Sequence, residues 1–280
     1  MNLVDMMNII FVEFHVTRKK LHDSGEVLTD DNFSFFLHNF FNKLNYMISN
    51  SGKLIICWEG KKSLNWRRGI FPDYKRNRDG KKDEEEFKVL FNNLYKVKEG
   101  LEFYPVKQIS HEMAEADDVI YALAAANTND NILIISSDKD LTQILNYQDN
   151  VTVYDPIRRR IQKQNENILM EKAIIGDASD GIGGLYRVGP KTLEKMIDDS
   201  NKWNEIMTKS NNKEVYKRLL KIIDLRQFPN DIHKEIVDKE KELEYNEFNP
   251  DQVELYYWDN KLPDLISRWQ DLKEDIRRML

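Results

Sequence analysis

Apolar positions along the chain follow two periods. Short β-branched or apolar runs that read as strands lie at 2–5 (NLVD), 53–59 (KLIICWE), 102–107 (EFYPVK), 131–140 (NILIISSDKD) and 150–156 (NVTVYDP). Between them the spacing turns helical: Phe, Leu and Tyr through DDNFSFFLHNFFNKLNYMISN (30–50), an Ala-rich face in EADDVIYALAAAN (115–127), and a short LTQILNY (141–147). Strands alternating with helices predict an α/β fold, with a mostly parallel twisted sheet and helices on both faces. Strand signals stop near residue 166, and the rest is charged and helical, with Pro229, Pro250 and Pro263 as punctuation. The division this predicts is an α/β domain over 1–168 and a helical lobe over 169–280.

Composition narrows the class. The 280 residues are 41% hydrophobic and 32% charged, enough for one sizeable core with an appended lobe. There is no run of 18 apolar residues and no basic segment leading into a long apolar one, so the expectation is a cytoplasmic protein, neither membrane-spanning nor secreted. A lone Cys57, among apolar neighbours, rules out an internal disulfide and reads as a buried strand position. The five histidines show no HxxH spacing and there is no CxxC, so any metal falls to oxygen ligands.

The net charge of −6 is unevenly spread. Residues 61–82 (KKSLNWRRGIFPDYKRNRDGKK) carry nine Lys/Arg against Asp73 and Asp79, a local balance of +7, and RRRIQK follows at 158–163. A solvated charged loop is the simple reading of either. Trp66, Phe71 and Tyr74, interleaved with the first, tilt it toward a polyanion, since bases stack on rings while Lys and Arg neutralise phosphates.

The carboxylates fall where ligands bind in doubly wound sheets. Asp5 and Glu59 close two strand signals, and Asp138 and Asp140 follow the apolar run of a third. Two residues apart, Asp138 and Asp140 share a side if the backbone is still extended. Glu115 and Asp118, three apart, share a helix face, with Asp117 beside them, and Asp177 and Asp180 repeat that spacing before a glycine-rich turn. Each acid alone reads as a cap or a turn. Nine acids converging without basic partners read as a site for divalent cations, Mg²⁺ or Mn²⁺, and a pair of such ions suits in-line attack on a phosphodiester.

The motifs LVDMMN (3–8), WRRGIFPDYKRNR (66–78), EADD (115–118), IISSDKDLTQIL (134–145) and GDASDGIGGLYRVGPKT (176–192) run in order through most of the chain. In this combination the sequence resembles the 5′-nuclease (flap endonuclease) superfamily, and most closely its T-even phage ribonuclease H branch. The resemblance implies a PIN-like core with a helical arch over 64–100 and a helix–three-turn–helix element in the C-terminal lobe. It further implies a 5′→3′ exonuclease and flap endonuclease that uses two Mg²⁺, or Mn²⁺ in their place, on RNA primers and 5′ flaps of lagging-strand DNA. Position by position, Asp5, Glu115, Asp117, Asp118, Asp138, Asp140, Asp177 and Asp180 match the family's metal-site acids, with Glu59 standing where Asp is usual. Tyr74, Lys75 and Arg78 match its arch-base element, in which Lys and Arg reach the scissile phosphate. DNA contacts are implied for Arg67 and Arg68, and for Gly184, Gly189, Lys191 and Thr192, whose turn grips the downstream duplex.

The partners implied are branched or 5′-flap DNA, RNA–DNA hybrid, and by analogy a phage single-strand DNA-binding protein and a sliding clamp, the protein itself being a monomer. Three departures stand out: Glu59; GLYRVG (184–189) with Arg187 in place of a turn glycine, which puts a bound monovalent ion in doubt; and Met6 and Val12 where the family has Gly and often Arg. The rival readings are a structure-selective DNA-binding protein with a weakened metal site and a PIN-type endoribonuclease.

Overall fold

The computed structural model describes residues 1–78 and 84–280; the part of the basic stretch and arch that falls on 79–83 lies outside the described residues. Strand β1 (Asn2–Asp5) runs directly into helix α1 (Met6–Asp23), and α2 (Ser34–Ser51) leads back to β2 (Leu54–Trp58). Helix α3 (Asn65–Ile70) and a 3₁₀ turn at Arg76–Arg78 precede α4 (Glu85–Leu101), β3 (Val106–Ser110), α5 (Ala116–Ala126) and β4 (Ile132–Ile135). A 3₁₀ segment at Asp140–Asn146 joins β4 to β5 (Val151–Asp155), and β6 (Arg160–Ile161) folds back on it.

These strands form a sheet in the order β3-β2-β1-β4-β5-β6 among the described residues, parallel except for β6. Strand β1 is central: Asp5 pairs with Cys57 on one side and Val4 with Ile135 on the other. Alternate side chains serve opposite faces, Leu3 packing with Ile55, Cys57 and Val119, and Val4 with Ile56, Phe14 and Phe40. The third strand begins at Val106, later than its signal, because the chain turns at 102–105 and Tyr104 is buried, its hydroxyl 2.8 Å from Asn45 Oδ1 and 2.5 Å from the Tyr257 hydroxyl.

Past 167 come α6 (Ile168–Ile175), a two-residue pairing of β7 (Gly176–Asp177) with β8 (Ile182–Gly183), α7 (Pro190–Asp198), α8 (Ser200–Met207) and α9 (Asn212–Ile223). The β7–β8 pair lies beyond the point where strand signals stop, being too short to show a period. This segment buries apolar residues of its own, Ile174, Leu185, Leu193 and Met196 in one cluster and Ala173, Ile182, Leu219 and Ile222 in another with Tyr74. The later helices return to the sheet. Helix α10 (Asn230–Glu242) puts Ile236 among Val119 and Leu123, while α11 (Pro250–Asp259), α12 (Pro263–Ser267) and α13 (Trp269–Met279) put Tyr257, Leu265, Trp269 and Ile276 among Phe40 and Leu44.

Candidate metal centre

The chain leaves β1 toward β2 on one side of the sheet and reaches β4 on the other, so the carboxyl ends of β1 and β4 flank a crevice where the strand order reverses. Asp5 ends β1 and caps α1, accepting from the Asn8 amide at 3.1 Å, and its other oxygen accepts from Ser136 Oγ at 3.1 Å. Ser136 Oγ also accepts from the Asp138 amide at 3.0 Å, so one hydroxyl ties the two strand ends together. Sequence reasoning passed over Ser136, as it did Asn8, whose side chain holds the Ser137 amide at 3.0 Å. Both are short polar residues that look like ordinary loop chemistry.

Asp5, Asp117 and Asp138 form a first cluster. Burial, then the charge of Asp138, pushes the Asp5 carboxyl up to about 7; burial, then Asp138 and Asp5, holds Asp117 well above the ordinary carboxylate range. None of the three makes an ion pair among the described residues, although Lys75 lowers Asp117 somewhat at longer range. Glu59, exposed just past β2, adds its charge to the field on Asp5. Three oxygen donors with uncompensated charge fit a hard divalent cation, which would relieve the repulsion.

Asp140, Asp177 and Asp180 form a second cluster, their oxygens within 4.8 Å of one another. The extended backbone that would place Asp138 and Asp140 on one side is absent: β4 ends at Ile135, and the Asp140 amide turns back to Asp138 Oδ1 at 2.8 Å to open the 3₁₀ segment, although the charge of Asp138 still raises Asp140. Nor are the nine acids without basic partners. Lys172, on α6, ion-pairs with Asp140 and, at 2.7 Å, with Asp177; Arg78 reaches Asp180 at 2.7 Å; Lys75 lies 3.9 Å from Asp180. Burial opposes ionisation of Asp177, but hydrogen bonds from Lys172 and Ser179 bring it down to about 2. Burial still holds Asp140 and Asp180 above the ordinary range. Lys172 was missed by sequence reasoning; the available signal was a single cation in the apolar run ILMEKAII, five residues before Asp177.

Glu115 borders both clusters, raising Asp117 by its charge and sharing Lys75 with Asp180, and with Asp118 it opens α5. They cap α5 reciprocally, and Arg67 grips both: Nη1 is 2.7 Å from Glu115 and from Asp118 Oδ2, and Nη2 is 2.6 Å from Asp118 Oδ1. Tyr74 Oη donates to Glu115 at 3.0 Å and the Lys75 ammonium pairs with its other oxygen. Asp118 is fully buried in this pair, so its matching of a metal-site acid becomes a structural role. Arg67, with 3% exposure and its Nε on the Ile222 carbonyl at 2.9 Å, is likewise no DNA contact but a strut to α9. Arg68 is half-buried, with Nε on the Tyr74 carbonyl at 2.9 Å. Nor are the rings of the basic stretch free to stack on bases: Tyr74 is buried, and Trp66 packs against Phe228 at 5.8 Å between centroids.

In the turn, Gly184 is a packing glycine, because a Cβ there would lie 2.3 Å from the Ile175 backbone. Gly189 has φ −118° and open space around a would-be Cβ, so the left-handed residue of the turn is Arg187, at φ 57°. Gly189 precedes Pro190 at the first position of α7; Lys191 is exposed and Thr192 half-buried there, and the Thr192 and Leu193 amides donate to the Gly189 carbonyl at 2.9 and 3.0 Å. Arg158, in the second basic cluster, is tied to Asp155 at 2.8 Å.

The profile of the family described as 5′-3′ exonuclease, N-terminal resolvase-like domain, matches residues 1–176, and the chain belongs to that family. The ribonuclease H of Enterobacteria phage T4 is 28% identical over 237 residues, covering 74% of this chain and 77% of that one. The 5′-3′ exonuclease of Buchnera aphidicola is 32% identical over 188 residues, 61% of each protein. The chain spans 26% of the DNA polymerase I of Bacillus subtilis that it also matches. Among solved structures, the T5 5′-exonuclease with bound divalent metal ions (zinc) superposes with a TM-score of 0.61 at 20% identity, over 86% of this chain and 98% of that one, which shows a shared fold.

Proposed function

We propose that the chain is a metal-dependent 5′→3′ exonuclease and flap endonuclease that hydrolyses phosphodiesters of 5′ flaps and RNA primers, with two Mg²⁺ as its ions. The observation that carries this is the first cluster: Asp5, buried, with Asp117 and Asp138, half-buried, all without ion pairs among the described residues, at the switch point of the sheet. When bound, the ions activate water for attack and neutralise charge on the scissile phosphate. The chain's own residues do the rest. Ser136 and Asn8 fix the strand ends, so the carboxylates meet the ion already oriented. Lys75, at φ 54° with its amide on the Asp180 carbonyl at 2.8 Å, holds its ammonium beside Glu115, where it can turn to a phosphate as charge develops. The exposed Lys191 at the start of α7 would take a downstream phosphate.

A labelled 5′-flap duplex and a single-stranded RNA, each incubated with and without Mg²⁺, test the reading. Mg²⁺-dependent release of the flap is expected. Flap binding without cutting, in Mg²⁺ or Mn²⁺, would make the chain a structure-selective DNA-binding protein, and cutting of RNA alone a PIN-type endoribonuclease.

A further inference from the structure

The basic run RRRIQK (158–163) is divided by the turn on which it sits. Asp155, at the end of β5, accepts the Ile157 and Arg158 amides at 2.9 and 3.0 Å and the Arg158 guanidinium at 2.8 Å, so the first arginine is held to the turn. Arg159 follows in the left-handed region, at φ 50°, exposed and with no acid partner among the described residues. It lies on the wall of a cavity of about 360 Å³ between α2, the β5–β6 turn and the start of α13, a volume within the roughly 300–1,000 Å³ of small-molecule sites. None of the nine acids of the metal crevice lines it.

Three cations face one acid on these walls among the described residues. Lys43 reaches the turn through the Pro156 carbonyl at 3.3 Å, with Glu13 of α1 behind it at 3.6 Å. Arg268 is exposed, bonds Asn42 Oδ1 of α2 at 3.0 Å and, like Arg159, pairs with no acid among the described residues. The acid, Asp275, is taken by Arg278 at 3.2 Å. Ser49 adds a buried hydroxyl with no hydrogen-bond partner among the described residues, and Tyr46 a ring that is 49% exposed. Buried polar atoms ordinarily find partners, so an orphaned hydroxyl beside surplus positive charge fits an anion with oxygens to share. A divalent cation would be repelled here and an apolar ligand would leave the charges unmet, whereas a phosphate answers the cations and a base stacks on the ring.

We infer that this cavity binds one nucleotide unit, with its phosphate among Lys43, Arg159 and Arg268 and its base on Tyr46. A single strand and a free nucleotide offer the same chemistry, and either can supply the unit. The site lies outside the metal crevice and stands whether or not the chain cuts flaps.

Binding to the full chain in EDTA, where no strand is cut, tests this. The probes are a short labelled oligothymidylate, read by anisotropy, and dTMP and inorganic phosphate, read by calorimetry. Arg159→Gln with Arg268→Gln should weaken the probe that occupies the cavity by about tenfold, and for the oligomer should lower the salt slope by about 1.4, the share of two phosphate contacts on a single strand. Tyr46→Ala should weaken the same probe by about fivefold or more. Should the double variant fail to fold, Arg159→Gln alone should cost about threefold, since its side chain has no acid partner to lose. A control pair outside the cavity, Lys241→Gln with Arg277→Gln, removes equal charge and should stay within about twofold. Loss for the oligomer alone assigns the cavity to a strand, and loss for dTMP as well assigns it to free nucleotides too. The inference is overturned by no binding of either probe to the parent, by unchanged affinity in the folded variants, or by an equal loss in the control pair. Inorganic phosphate binding as tightly as dTMP, with Tyr46→Ala silent, overturns it as well.

Discussion

Asp118→Asn separates a metal ligand from a structural acid. Asp118 is fully buried, accepts from Arg67 at 2.7 and 2.6 Å, and accepts the Glu115 amide at 3.0 Å, while no other cation pairs with it among the described residues. Removing one partner of a buried pair costs about 3–5 kcal/mol, because the other charge is left uncompensated. Here Glu115 still neutralises Arg67 and the Asn carbonyl still accepts one bond, which places the loss near the low end, about 3 kcal/mol. At roughly 2 °C per kcal/mol for a chain of this size, the melting temperature should fall by about 6 °C. The Mg²⁺ concentration for half-maximal flap cleavage should stay within about twofold. Replacing both partners, Arg67→Met with Asp118→Leu, should return part of the stability, since Glu115 loses Arg67 but keeps Lys75 and Tyr74 as partners. Thermal melts and metal titrations of the same preparations read both quantities. A tenfold rise in the Mg²⁺ requirement with an unchanged melting temperature would refute the argument and make Asp118 a ligand.

Asp5 sets a pH dependence of stability. Burial and Asp138 move it from an ordinary 3.8 to about 7, so between those values the folded chain keeps a proton that the unfolded chain has lost. Stability of the metal-free protein should therefore fall as pH rises through that window, by up to about 4 kcal/mol, and level off above it. Urea midpoints in EDTA at pH 5 and 7.5 should show the fall, Asp5→Asn should flatten it, and equal slopes for the two proteins would sink the reading. Lys75→Ala should slow the single-turnover chemical step by about 10²–10³ while changing flap affinity little, as expected for a cation used mainly in the transition state; an unchanged rate would remove Lys75 from the chemistry. Gly184→Val should lower the melting temperature, because its Cβ meets the Ile174 and Ile175 backbone, whereas Gly189→Val should fold normally and lose affinity only for substrates with a downstream duplex. Equal loss of affinity for single strands, measured by anisotropy, would make that turn merely structural.

The strands, the helices between them and the acids at strand ends were legible in the sequence because each is a local property. Period, burial and capping leave their marks within a few residues, and LVD, EADD and IISSD sit where those marks place strand ends and a helix start. Which acid serves which cluster was not legible. Asp138 and Asp140 part company because the backbone turns after Ile135, and Asp118 leaves the metal set because Arg67, 51 residues earlier, reaches it through the core. The rings near Lys75 read as a stacking surface, but Tyr74 is buried and Trp66 and Phe71 are half-buried against the core. Lys172 was invisible for the same reason: a lysine on a short apolar helix acquires meaning only once α6 is laid beside the 3₁₀ segment that begins at Asp140. The returning helices α10 to α13 teach the same lesson, since their amphipathic pattern says that they need a partner face and not which one. Local pattern fixes which residues are charged and which side they present; the field at any one carboxylate depends on charges brought within a few ångströms by packing, and only the tertiary structure decides those.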